Sequence, residues 1–227
     1  MPNFLLIESS SRNCSVAVSN QDSILSIREE SSDQFVHSEK LHVFIQECMA
    51  ESGLEYSDLD AVCVSKGPGS YTGLRIGVSA AKGICYPLRI PLIAVDSLTI
   101  LASQLFNKVE GLIVPIMDAR RMEVYESVFS KECDQLLPIS AKIIDNTSYS
   151  DLLEKGEVHF VGDACKKVSE VIQHPNAIFH FEMEFPSAKQ IKALCAKKFN
   201  ERAFEDVAYF EPYYLKDFVA GKPKKVL

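Results

Sequence analysis

The residues with the most chemical potential lie in one stretch, Ser65-Lys66-Gly67-Pro68-Gly69-Ser70-Tyr71-Thr72-Gly73-Leu74-Arg75. An apolar run from Leu59 to Val64 precedes it and reads as a buried strand. A helix-like segment follows and is predicted to stop at Pro87. Gly67 and Gly69 around Pro68 permit a turn that ordinary residues follow only with strain, and Ser70 or Thr72 can cap the helix. Free N–H groups at such a helix start, with Lys66 and Arg75 beside them, could hold an anion. A tight strand-to-helix corner accounts for the same residues without a ligand. A second turn, Glu8-Ser9-Ser10-Ser11-Arg12-Asn13, is rich in hydroxyls and has the outline of a phosphate-facing hairpin. Asp118, ending another apolar run, could stand near a magnesium-bound water or simply pair with Arg120 or Arg121. The candidate nucleotide or anion residues are therefore Ser9, Ser10, Gly67, Gly69, Ser70, Arg75 and Asp118.

Other chemistries find no pattern. The five histidines, His37, His42, His159, His174 and His180, include no pair four apart, the spacing that puts two ligands on one helix face, so no metal site is expected. No Ser-His-Asp arrangement can be placed, and no catalytic residue is assigned. Seven cysteines without a CxxC pair read as reduced thiols in a cytoplasmic protein.

These residues need a scaffold. The chain has 227 residues, 47% of them apolar, with a mean hydropathy near zero, a globular composition. The net charge of −7 and pI near 5.3 argue against a chain that grips nucleic acid unaided. No leader-like segment opens it, and no stretch approaches membrane length. Phe4 to Ile7, Cys14 to Ser19 and Ile24 to Glu29 read as a strand meander. Leu41, Phe44, Ile45, Cys48 and Met49 mark one face of a helix from His37 to Ser52. Gly73, Gly77 and Ala81 recur every four residues with Ala80 and Gly83 near them. That stripe lets something approach closely, either the chain's own sheet or a partner helix. Later come strands at Pro91 to Val95, Gly111 to Met117, Glu123 to Phe129 and Glu157 to Val161. Helices are predicted from Asp96 or Ser97 through Leu105, from Ala164 to about Gln173, and from Ser187 to Phe199. The second half repeats the strand, charged turn, strand order of the first, with a boundary expected between 104 and 110.

Blocks at Phe4 to Val18, His37 to Leu41, Ser65 to Gly83, Ile93 to Leu98, Ile116 to Tyr125 and Val161-Gly162-Asp163 resemble the TsaB (YeaZ) family of bacterial proteins. The resemblance implies an α/β fold of the actin/Hsp70/sugar-kinase-like (ribonuclease H-like) type. Its two lobes of mixed sheets would span 1–105 and 106–227, the second reduced, with the last segment packing back on the first. It implies a non-catalytic subunit for making threonylcarbamoyladenosine beside the anticodon of transfer RNAs. The partners would be a TsaD-like transferase and a TsaE-like ATPase, with tRNA met only through the complex, a homodimer when alone, and ATP and magnesium at most at the complex interface. The family's dimer surface corresponds to helices at 37–52 and 73–86, which makes His37, Leu41, Phe44, Ile45, Cys48, Gly73, Gly77, Ala80 and Ala81 the candidate interface. Two features depart from the pattern. Glu8 stands where members usually carry Asp, and the turn after it lacks the glycine that kinase-like relatives place near phosphate. The alternative reading is an ATP- or phosphate-handling enzyme, and a third would use Lys222, Lys224 and Lys225 to touch RNA.

Overall fold

The structure is a computed structural model that describes residues 1–32 and 37–216; the lysines at 222, 224 and 225 lie outside the described residues. The chain builds two five-stranded sheets of identical topology. The first holds β1 (Phe4–Glu8), β2 (Asn13–Ser19), β3 (Ile24–Ser31), β4 (Ala61–Gly67) and β5 (Leu92–Asp96), in the order β3-β2-β1-β4-β5. The second holds β6 (Leu112–Asp118), β7 (Glu123–Phe129), β8 (Gln135–Ile143), β9 (Val158–Val161) and β10 (Ala177–His180). Read from its other edge, its order is β8-β7-β6-β9-β10. In each, the first strand lies central, antiparallel to the second and parallel to the fourth. This doubled βββαβ pattern is the actin and sugar-kinase type of fold.

The first sheet is covered on both faces, which is why β1 reads as an unbroken apolar run rather than an alternating one. Leu5 and Ile7 pack with Val16, Val18 and the inner faces of α1 (His37–Ser52) and α2 (Tyr71–Leu88). Phe4 and Leu6 pack with Cys63, Ile93 and the buried Ile191 and Cys195 of α6 (Ala188–Asn200). Between the lobes, α3 (Ser97–Ala102) sends Ile100 to the first sheet's core and Leu98 and Leu101 to the second. Among the described residues, the second lobe carries the short helices α4 (Ser150–Leu153) and α5 (Cys165–Ser169) over Val114, Ile116 and Phe160.

Several boundaries differ from expectation, each for a local reason. Pro87 does not stop α2 but sits in its last turn, where it forfeits only the bond to the Gly83 carbonyl; Arg89, at φ 56°, closes the helix. Helix α3 ends at Ala102, not Leu105. There the Ser103 hydroxyl turns back to donate to the Ile100 carbonyl at 2.7 Å. Helix α5 ends at Ser169 rather than near Gln173, ahead of the β-branched pair Val171–Ile172 and Pro175. Strand β8 was not expected, because Pro138 and its exposed residues hide it; a proline is tolerated there since β8 is an edge.

After α6 the chain returns across the first lobe as a strap. Glu205 N–H donates to the Leu92 carbonyl at 2.8 Å, the Lys82 ammonium donates to the carbonyls of Ala208 and Phe210, and Tyr213 N–H donates to the Lys66 carbonyl at 2.7 Å. At its end Lys216 pairs with Glu123 of the second lobe.

Candidate functional site

The β1–β2 turn and the β4–α2 corner form one interlocked unit. Glu8 is fully buried and its Oε1 accepts from the Ser10 N–H at 2.7 Å and from the Ser10 hydroxyl at 2.6 Å. Burial pushes the Glu8 carboxyl up to about 7, and the Ser10 bonds oppose this only in part. Its Oε2 and the Ser9 hydroxyl find no partner. The Ser10 carbonyl accepts from Ser70 N–H at 2.7 Å, and the Ser70 hydroxyl caps α2 by accepting from Gly73 N–H at 3.2 Å.

The glycines exist to admit this turn. A Cβ on Gly69 would stand 2.2 Å from the Ser10 carbonyl oxygen, and one on Gly73 would stand 2.1 Å from that of Ser9. A Cβ on Gly77 would stand 2.1 Å from the Ser9 hydroxyl. On Gly67 it would meet the Tyr213 carbonyl of the strap at 2.8 Å.

A phosphate does not fit this corner as it stands. The Ser10 donors are given to Glu8, and the Ser70 N–H to Ser10. Arg75 lies 4.3 Å over the Tyr71 ring and donates to the Tyr214 hydroxyl at 3.2 Å, so it serves the strap. Of the seven anion candidates, Ser9, Ser10, Gly67, Gly69 and Ser70 do meet. Asp118 belongs to the other lobe, where it pairs with Lys167 and accepts from Arg120 N–H at 2.9 Å. Its own N–H donates to Asp163 at 2.8 Å. Burial raises the Asp163 carboxyl to about 6, while Lys167 and Arg12 of the first lobe's turn oppose the shift.

The nine interface candidates sit on α1 and α2, mostly on the faces turned to the chain's own core. Leu41, Cys48 and Ala81 are fully enclosed, Phe44 and Ile45 are core, and His37 is buried. Gly73 and Gly77 are occupied by Ser9, as above, so the stripe faces the chain's own turn there. What α1 and α2 leave open is a groove of about 920 Å³ between them. Its lining includes Ile45 and Ala80 from the nine and Gly83 from the stripe, together with His42, Gln46, Ile76, Ser79 and Ile84, which were not among the interface candidates. Gly83 has nothing within 4 Å of where its Cβ would be. The signal available was Gly83 at the end of the stripe, which is exposed while Gly73, Gly77 and Ala81 face inward.

Residues 29–224 match the family model described as TsaD, tRNA N6-adenosine threonylcarbamoyltransferase. The tRNA threonylcarbamoyladenosine biosynthesis protein TsaB of Buchnera aphidicola from Schizaphis graminum is 30% identical over 82% of this chain and 90% of its own length. The chain belongs to the TsaB (YeaZ) branch of that family. The TsaB of Haemophilus influenzae is 34% identical over 56% of this chain, and the chain spans about half of that relative's length, 54%. A solved protein of Pseudomonas aeruginosa, described as similar to the peptidase YeaZ, shares the fold with a TM-score of 0.82 at 22% identity, over 95% of this chain and 100% of its own.

In this TsaB-family chain, then, the long Ser65 to Gly83 block is a folding device. It locks the β1–β2 turn onto α2 and leaves the outer face of α2 smooth. No helix of the described residues is long and apolar enough to cross a membrane. No group of three or more metal-ligating side chains gathers among them.

Proposed function

We propose that this chain is a non-catalytic subunit in the attachment of a threonylcarbamoyl group to N6 of the adenosine beside the anticodon of tRNAs, pairing with a TsaD-like transferase. The observation that carries the reading is the groove between α1 and α2, lined by the small and apolar Ile45, Ile76, Ala80, Gly83 and Ile84. A partner of the same doubled fold presents the same helix pair, and two such pairs can pack around a pseudo-twofold axis. The match to the transferase's own family model supports a partner of that kind. The interlocked corner supports the absence of catalysis, because the donors a transferred or bound phosphate would use are spent on Glu8 and Ser10. A TsaE-like ATPase joins the pair, and tRNA is met by the assembled complex in the cytoplasm.

Co-expression with the transferase of the same organism, followed by size-exclusion chromatography with and without ATP, tests this. A heterodimer is expected. A chain that elutes only with itself would replace the transferase by a second copy in the groove.

A further inference from the structure

The tip of the β6–β7 hairpin has an unusual composition for its conformation. Arg120 and Arg121 stand consecutively in the left-handed region, at φ 72° and 52°. Glycine, asparagine and aspartate are the residues that occupy such positions at low cost in a hairpin loop. Strain kept at an exposed tip points to a use for the side chains.

The backbone there is held by groups other than the arginine side chains. Ala119 N–H donates to the Glu123 carbonyl at 3.0 Å, and Arg120 N–H donates to Asp118. From behind, the Lys167 ammonium donates to the carbonyls of Arg121 and Glu123 at 2.9 and 2.6 Å. The nearby carboxylates are already engaged: Asp118 by Lys167, Glu123 by Lys216, and Asp163 in the fields of Lys167 and Arg12. Neither guanidinium has an ion pair among the described residues, nor does the exposed Lys166 beside the clamp. A fixed tip thus displays two unspent cationic forks on a chain whose net charge is −7.

We propose that Arg120 and Arg121 form a contact for the phosphate backbone of RNA, gripping two adjacent phosphates without reading sequence. The planar guanidinium suits bidentate phosphate recognition, and two such contacts are too few for an acidic chain to bind alone at physiological salt. The choice of RNA rests on the reading of this chain as part of a tRNA-modifying assembly.

The test uses Arg120→Asn/Arg121→Gly, which suits the turn's backbone and removes both charges. Binding of a tRNA transcript to the chain–transferase complex is measured between about 50 and 200 mM salt. The variant is expected to weaken binding about tenfold and to lower the salt slope by about 2, one per lost phosphate contact. Arg89→Asn/Arg202→Asn removes two exposed arginines of the same backbone conformation elsewhere and is expected to leave binding unchanged. An unaltered slope in a complex that assembles normally, equal weakening by the control, or loss of the transferase instead of the RNA would each overturn the proposal. Should the wild-type chain fail to pair with the transferase, the partner reading fails. The RNA contact is then decided on the isolated chain at about 50 mM salt: binding that the variant loses upholds it, and no difference refutes it.

Discussion

The Ser9 hydroxyl fills the space that a Cβ on Gly77 would take, 2.1 Å from that position. Ser9 is fully buried and its Cβ also stands 3.2 Å from that position, so turning the hydroxyl away relieves the crowding only in part. Gly77→Ala is therefore expected to destabilise the protein by about 1–3 kcal/mol, even though alanine favours a helix by about 1 kcal/mol. Ser9→Gly should return part of that loss in the double variant, with a coupling that denaturant melts can read. Additive losses would show that the two do not compete for space.

Gly83 is the opposite case. With nothing within 4 Å of its Cβ position, Gly83→Trp should fold with an unchanged or raised melting temperature and fill the groove. Loss of transferase co-elution from this folded variant is the expected result. Retained co-elution would move the partner off the groove between α1 and α2.

Glu8 makes a prediction in pH. Its carboxyl is raised to about 7 from an ordinary 4.5, so the folded chain holds a proton that the unfolded chain releases. Stability from this group is full below about 4.5 and falls as pH rises through 7, by on the order of 3 kcal/mol. Glu8→Gln keeps an acceptor for Ser10 and removes the titration, so the gap between variant and wild type should grow across that window and then level off. Urea melts at pH 5 and pH 8 (roughly the two limits) decide it; a constant gap would mean Glu8 is ionised throughout.

The enzyme alternative can be weighed directly. Calorimetric titration of the chain with ATP and magnesium is expected to give no binding heat, since the corner's donors are internally consumed. Micromolar binding would restore phosphate handling.

The lobes could be read from residue pattern because buried strands such as β1 and one-faced helices such as α1 carry their environment in their composition. The doubled order followed from the repeated strand, turn, strand. The direction of the glycine stripe could not be read. Spacing of four places Gly73, Gly77 and Ala81 on one face, but which face meets the distant Ser9 turn is a property of the assembled lobe. For the same reason the spacing that puts Leu41 and Cys48, both named for the interface, on one helix face does not show that this face packs on the chain's own sheet. Strand β10 is only four residues long and β8 contains a proline, so neither announces itself. Nothing in sequence spacing marks Arg120 and Arg121 as left-handed; only the backbone shows it.

The position of α6 bears on how the chain is made. The sheet face of Phe4, Leu6, Cys63 and Ile93 is closed by Ile191 and Cys195, which are synthesised after the strands of both sheets. A nascent chain carrying only the first five strands would expose that apolar face until residue 200 clears the ribosome. A truncation before Ala188 should therefore yield aggregate rather than an isolated first lobe.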